Sequence, residues 1–155
     1  MEDLLREFEK IGAIKHGDFS LKGGEETNIY FDIKKAYGEP ALFKVIVEKI
    51  SALVPQEATC IAGSGNGGIP LATAIALHLN KKLSIVRDLE KDHGTKQKID
   101  GHVPSQHDKI VVVDDVLTSG TSLRNTIKNL DTAHILTCIV IVKRGEAQGI
   151  NCSVE

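Results

Sequence analysis

The sequence predicts a single α/β domain built on a doubly wound, mostly parallel sheet that is flanked by helices. Four near-continuous apolar runs rich in Val and Ile are typical of strands buried on both faces, and they lie at 58–62, 83–86, 110–113 and 135–142. Helical patterns separate the first run from the second and the third from the fourth, which predicts right-handed crossovers. The length of 155 residues suits one domain, so the prediction covers the range 1–155.

The elements before the first run follow from hydrophobic spacing. Leu4, Phe8 and Ile11 share one helical face, so a short helix opens the chain. The stretch 28–33 is strand-like and follows a Gly-Gly turn, and a second helix is predicted over 42–53, where Pro55 ends it.

The later elements complete the alternation of strands and helices. A crossover helix is predicted over 69–79, because Pro70 suits the first turn of a helix. A second is predicted over 121–130, where Leu123 and Leu130 share one face, and the stretch 151–154 is strand-like. The connection from 88 to 108 is long and polar, and it leaves the carboxyl end of a parallel strand, so we expect a functional lid there.

Composition excludes several classes of protein. The net charge of -2 includes no basic excess for nucleic acid or an anionic membrane surface. The acidic amphipathic start does not suit a signal peptide, and the apolar run at 135–142 is too short to span a bilayer. Three widely spaced cysteines are predicted to be free thiols in a reducing compartment. We therefore expect a cytoplasmic protein without nucleic-acid or membrane partners.

The motif with the most chemical content runs from Ile110 to Ser122. A buried strand ends in Asp114 and Asp115, and a short loop of small hydroxyl residues and glycine leads into a helix. Backbone N–H groups and hydroxyls at such a helix start can bind a phosphate, whereas adjacent carboxylates suit hydroxyl donors or a developing positive charge. A sugar phosphate meets both requirements. The alternative is a plain strand–turn–helix with a helix cap and a solvated acidic pair.

This motif resembles the phosphoribosyl-pyrophosphate fingerprint of the type I phosphoribosyltransferases. The resemblance implies that Asp114 and Asp115 bind the ribose hydroxyls and take part in catalysis. It also implies binding of phosphoribosyl pyrophosphate by Arg87 and by the rest of the fingerprint, namely Val116, Leu117, Thr118, Ser119, Gly120, Thr121 and Ser122.

Three further segments resemble the orotate branch of that family. They are an N-terminal part at 12–24 and 29–32, a catalytic loop at 91–101, and a Gly-Ile-Pro-Leu-Ala turn at 68–72. The resemblance implies a small N-terminal hood, formed by 1–40 together with the C-terminal end, over the base site. Orotate would bind near Lys22, Phe31, Thr118 and Arg144.

The same resemblance implies the reaction. A ring nitrogen of orotate attacks ribose C1, pyrophosphate leaves with Mg²⁺, and orotidine 5′-phosphate is formed for UMP biosynthesis. Lys91 and His93 would act as catalytic cations on the mobile loop. The protein alone would hold no metal, because Mg²⁺ enters with the substrate phosphates. A homodimer with shared active sites is expected.

Three departures from the family pattern leave other functions open. Asp88 and Gly67 stand where relatives often have lysine, and the terminal helix of many relatives is not seen after 154. Lys91, Lys96 or Lys98 could replace the lost cations. A non-catalytic sensor of phosphoribosyl pyrophosphate, or an enzyme for another base, would fit these losses. A dinucleotide-binding domain is a remote alternative, because 63–68 fits Gly-x-Gly-x-x-Gly and Asp88 follows at the next strand end.

Overall fold

The computed structural model describes residues 2–20, 26–87, 98–131, 134–145, 149–150 and 152–155. It divides the chain into two compact units, Met1–Val45 and Ile46–Glu155. In the first unit, helix α1 (Glu2–Lys10) precedes an antiparallel hairpin of β1 (Ile14–Ser20) and β2 (Glu26–Phe31). A 3-10 helix follows at Ile33–Gly38. The core of this unit contains Phe8, Ala13, Ile33 and Ala36, all buried.

Helix α2 (Pro40–Ser51) leads along the chain into an alternation of strands and helices. In order, these elements are β3 (Cys60–Ser64), α3 (Gly65–His78), β4 (Lys82–Val86), β5 (Ile99–Gly101), β6 (Lys109–Leu117), α4 (Thr121–Leu130), β7 (His134–Lys143) and β8 (Ser153–Val154). Among the described residues the strands form one six-stranded sheet in the order β5-β4-β3-β6-β7-β8. Every neighbouring pair is parallel except β4 with β5.

Burial explains why the central strands form. All five residues of β3 and the stretch from Ile110 to Asp114 in β6 are buried, as expected for strands covered on both faces. Helix α4 contributes Leu123 and Leu130 to the same core. The predicted doubly wound, mostly parallel fold is therefore confirmed. In the part of the chain that the structure describes, no helix is long and apolar enough to cross a membrane.

Three elements differ from the prediction, while the lid expected after β4 stays a prediction because 88–97 lie outside the described residues. Helix α3 begins at Gly65, so Pro70 lies inside the helix and not in its first turn. The polar connection after β4 contains β5, which pairs antiparallel with β4. Strand β1 was not predicted, because its central residues are exposed and polar and its register shifts between His16 and Phe19.

A polar cluster lies at the amino ends of the parallel strands. The Asp108 carboxylate is 4% exposed, and it accepts hydrogen bonds from the Ser105 amide, Lys82 Nζ and the Thr59 hydroxyl at 2.9, 3.0 and 3.2 Å. His102 Nε2 lies 3.0 Å from Asp108 Oδ2, the oxygen that also accepts from the Ser105 amide. These contacts, led by the backbone N–H of Ser105, hold the pKa of Asp108 well below its usual range. The cluster ties the starts of β4 and β6 together.

Candidate functional site

The strand order places a topological switch point between β3 and β6. From β3 the chain crosses to β4 on one side, and from β6 it crosses to β7 on the other. The register pairs Ala62 with Val112 and Ser64 with Val86, so the carboxyl ends of these strands lie at one edge. Open α/β sheets bind ligands at such a point. The predicted acidic pair at the end of β6 lies there.

Asp114 and Asp115 form a partly buried carboxylate pair. Asp114 is only 7% exposed, and its Oδ1 accepts a hydrogen bond of 2.9 Å from the Asp115 amide. Asp115 Oδ1 accepts one of the same length from the Val116 amide. Burial, with the charge of Asp115 as the second cause, raises the pKa of Asp114 to about 7. Burial and the neighbouring charge therefore disfavour the charged form of Asp114, which a hydrogen-bond donor or a positive charge on a ligand would stabilise.

The glycine-rich start of α3 packs against this pair. A Cβ atom on Gly67 would overlap the carboxylate of Asp115, and one on Gly68 would lie 2.9 Å from the Val113 carbonyl oxygen. Only glycine allows this close approach. The approach brings the N-terminal turn of α3 to the carboxylates. The glycines at 67 and 68 thus shape the site.

The hydroxyl loop follows the acidic pair directly. Gly120 has a φ of 74° and immediately precedes α4, and the Ser119 and Thr121 hydroxyls lie 3.0 Å apart. Arg124 donates to the Ser119 carbonyl at 2.9 Å and to the Thr121 hydroxyl at 3.0 Å. The loop is therefore held in shape from within α4. Sequence reasoning missed Arg124, although its position three residues after Thr121, on the same helical face, was a usable signal.

One hydroxyl contact attaches α4 to the end of β3, and a second lies within α4. The Ser64 and Thr126 hydroxyls lie 2.7 Å apart, and the Thr126 hydroxyl also donates to the Ser122 carbonyl at 2.9 Å. Ser122 in turn hydrogen-bonds Asp114 through its side chain, which partly opposes the rise in that pKa. Ser64 and Thr126 were not predicted, because 62 residues separate them.

The structure brings some of the other predicted residues to the loop. The Arg144 amide donates to the Leu117 carbonyl at 2.9 Å, and Gly145 packs so closely on Thr118 that a Cβ would overlap its carbonyl oxygen. The backbones of Thr118 and Arg144 are therefore close to each other in space. Leu117 is 2% exposed and its side chain belongs to the core, so only its backbone can meet a ligand.

The remaining predicted residues are distributed differently. Arg87 immediately follows β4, and its guanidinium forms two hydrogen bonds with Asp100. Phe31 is the last residue of β2 in the first unit. Lys22, Lys91 and His93 lie outside the described residues, as do Asp88 and Lys96.

Within the described ranges, no group of three or more His, Cys, Asp or Glu side chains lies close enough together to hold a metal ion. At the switch point the carboxylates of Asp114 and Asp115 are the side-chain oxygens that could receive a metal ion. Two carboxylates suit a hard cation that keeps most of its ligands from water and substrate phosphates.

Known proteins resemble this chain over most of its length. The family described as the phosphoribosyl transferase domain matches residues 35–149. An orotate phosphoribosyltransferase of Methanocaldococcus jannaschii is 39% identical over 127 residues, which cover 82% of this chain and 72% of the relative. One from Methanosarcina mazei is 35% identical over 151 residues, covering 96% and 80%. The crystal structure of orotate phosphoribosyltransferase from Aeropyrum pernix matches with a TM-score of 0.82 at 34% identity, covering 94% and 84%.

Proposed function

This chain belongs to the orotate phosphoribosyltransferases, and from that membership we propose how its residues transfer a phosphoribosyl group to orotate. The observation that carries the proposal is the partly buried carboxylate pair beside the hydroxyl loop at the switch point. Phosphoribosyl pyrophosphate and orotate are the substrates, and orotidine 5′-phosphate and pyrophosphate are the products. The enzyme is a pentosyltransferase of pyrimidine biosynthesis.

The acidic pair binds the ribose in this proposal. Ribose hydroxyls donate to the carboxylates of Asp114 and Asp115, and these donors replace the water that burial has removed from Asp114. As the bond from ribose C1 to pyrophosphate breaks, positive charge develops on the ring. Two fixed carboxylates near that charge stabilise it more than they stabilise the ground state.

The hydroxyl loop binds the 5′-phosphate. Backbone N–H groups of Thr118 to Ser122, at the start of α4, and the hydroxyls of Ser119 and Thr121 are suitable donors for an anion. Arg124 contacts the loop at Ser119 and Thr121, so it fixes the loop and adds positive charge beside it.

The residues proposed to contact the base and the leaving group are carried over from the resemblance to the family. Thr118 and Arg144, neighbours in this fold, are proposed to contact orotate, because a guanidinium matches planar oxygens. Roles for Lys22 and Phe31 at the base stay predictions, as do the catalytic roles of Lys91 and His93. The proposed site for the leaving pyrophosphate includes Arg87.

Magnesium is proposed to enter with phosphoribosyl pyrophosphate. The residues fit this arrangement, because the carboxylates of Asp114 and Asp115 can receive an ion that substrate oxygens already coordinate. When bound, Mg²⁺ would supply positive charge that offsets the negative charge of the leaving pyrophosphate. The side chains hold the ribose and the 5′-phosphate in place meanwhile.

A homodimer and a cytoplasmic location are also proposed. The relatives are enzymes of a metabolic pathway, and the resemblance implies active sites shared between two subunits. Light scattering of the purified chain tests the first of these. A mass of twice 16.8 kDa is expected, and a single-chain mass in an active preparation would contradict it.

The test of the proposed function is turnover with phosphoribosyl pyrophosphate, Mg²⁺ and one base at a time: orotate, uracil, hypoxanthine or adenine. Orotidine 5′-phosphate is expected with orotate alone. The double variant Asp114→Asn with Asp115→Asn should lose binding of phosphoribosyl pyrophosphate, and Glu57→Gln, at an exposed acid, should not. Tight binding of phosphoribosyl pyrophosphate without product from any base would instead indicate a sensor.

A further inference from the structure

Arg87 and Asp100 form a two-point ion pair at the carboxyl end of β4. Arg87 Nε donates to Asp100 Oδ2 at 2.6 Å, and Nη2 donates to Oδ1 at 2.7 Å. Both oxygens of the carboxylate therefore meet one edge of the planar guanidinium. This fork-to-fork geometry is the strongest and most directional form of a charged hydrogen bond.

The β4–β5 hairpin creates this pair. Ile85 is directly opposite Asp100, and the Arg87 amide donates to the Lys98 carbonyl at 2.9 Å. Arg87 lies two residues beyond Ile85 on the same face, so it is the diagonal neighbour of Asp100. Asn129 in α4 also donates to the Arg87 carbonyl at 3.4 Å. Both the backbone and the side chain of Arg87 are thus held by other elements.

The position of Arg87 relates it to the ribose site. Strand β3 lies between β4 and β6, so two strand spacings, or roughly 10 Å, separate the end of β4 from the Asp114 pair. A ribose bearing pyrophosphate on C1 can span such a distance. The next residue in the sequence is Asp88, whose acidic side chain has the same sign of charge as pyrophosphate, so the orientation of Arg87 matters more for pyrophosphate binding.

We propose that Asp100 is a positioning residue that orients Arg87 to bind the leaving pyrophosphate, an inference that rests on the proposed function. A guanidinium has five N–H donors in a fixed plane, and Asp100 takes Nε–H and one on Nη2. The guanidinium cannot rotate without losing both bonds. Its other N–H groups are then presented in one direction to a second anion, at a lower entropic cost than for a mobile side chain.

The carboxylate has an opposing effect as well. Asp100 is negative and repels pyrophosphate, but its side chain is 42% exposed, so water and salt screen that repulsion. Water and salt do not weaken in the same way the orientation that the two hydrogen bonds give to Arg87. The net effect of removing the carboxylate is therefore weaker pyrophosphate binding. If Asp100 only competed with pyrophosphate for Arg87, removing its carboxylate would strengthen pyrophosphate binding.

The experiment compares three ligands with the chain of 155 residues. Asp100→Asn is expected to raise the KM for phosphoribosyl pyrophosphate and the inhibition constant of inorganic pyrophosphate about tenfold, as for loss of one charge-assisted hydrogen bond. Binding of ribose 5-phosphate, which lacks pyrophosphate, should stay the same. Asp100→Glu keeps the carboxylate and should recover part of the loss. Glu57→Gln, which removes an exposed negative charge elsewhere, should behave as the wild type.

A double-mutant cycle identifies the route of the effect. If Asp100 acts through Arg87, Asp100→Asn has no further effect on pyrophosphate binding in an Arg87→Ala background. An equal loss in that background overturns the inference, and so does unchanged or tighter pyrophosphate binding in the single variant. Equal weakening of ribose 5-phosphate would mean a general disturbance, which also overturns it.

Failure of the proposed function is separable from failure of this inference. A wild-type chain that makes no orotidine 5′-phosphate contradicts the proposed function. Titration calorimetry with inorganic pyrophosphate still reports on Asp100 in that case. If Asp100→Asn does not fold, as judged by its thermal unfolding, the Asp100→Glu variant carries the comparison, with a smaller rise expected in the same two constants.

Discussion

Replacing Asp114 by asparagine should make the ligand-free protein more stable, and increasingly so as the pH rises. The carboxylate is 7% exposed and adjoins Asp115, and these two causes raise its pKa to about 7. Between the ordinary value of 3.8 and that raised value, native Asp114 keeps its proton, whereas the unfolded chain has released it. Stability is then lost as the pH rises through about 7. Asparagine has the same shape and no such loss.

The magnitude follows from the two pKa values. For a carboxyl with a pKa of about 7 when folded and 3.8 when unfolded, the free energy of unfolding falls by about 2–3 kcal/mol between pH 5 and pH 8. The advantage of Asp114→Asn over the wild type should grow by about 2–3 kcal/mol over that interval, which is roughly 4–12 °C in Tm for a chain of this size.

Urea unfolding at pH 5 and pH 8 measures this change directly. Glu57→Gln is the matched control, because it removes an exposed carboxyl, and its difference from the wild type should not change with pH. The same Asp114→Asn protein should bind phosphoribosyl pyrophosphate poorly, so stability and function move in opposite directions. An advantage that stays constant within about 0.5 kcal/mol from pH 5 to pH 8 would refute the reasoning, since RT is about 0.6 kcal/mol and the linkage effect is several times larger.

Three other outcomes are expected. Gly67→Ala should weaken binding of phosphoribosyl pyrophosphate at least about tenfold in calorimetry, because its Cβ displaces the Asp115 carboxylate; unchanged binding would contradict that contact. Asp108→Asn should lower the free energy of unfolding at pH 7 by about 1–3 kcal/mol, since it weakens the polar cluster around the buried Asp108. Equal urea midpoints for variant and wild type would contradict this loss of stability. A thiol reagent should modify half-buried Cys152 in the native protein before the two buried cysteines, and mass mapping that finds Cys138 first would disagree.

The fold was predictable where burial acts on both faces of a strand. The four apolar runs correspond to β3, β4, β6 and β7, and the helix predicted at 121–130 has the bounds of α4. Strand β1 is mostly exposed and β5 has three residues. Neither strand shows regularly spaced apolar residues in the sequence, because their pairing with β2 and β4 comes from backbone hydrogen bonds.

The site was predictable where its chemistry is contiguous in the chain. The acidic pair and the hydroxyl loop occupy nine consecutive residues, from 114 to 122, and local order alone indicates a sugar phosphate. The supports of this segment depend on contacts between distant residues. Ser64 meets Thr126 across 62 positions, and Arg87 meets Asp100 only because a hairpin brings them together. No local pattern encodes such contacts.

Gly67 shows how the structure changes the meaning of a departure from the family pattern. In the sequence, glycine at a position that often holds lysine indicates a lost cation. In the fold, residue 67 lies in the first turn of α3, against the Asp115 carboxylate. The absent side chain lets that carboxylate approach the positive end of the helix, where N–H groups lack intrahelical partners. Gly67→Lys would therefore displace Asp115 before it could contact pyrophosphate, so the missing charge has to come from another element, for which Arg87 at the end of β4 is placed.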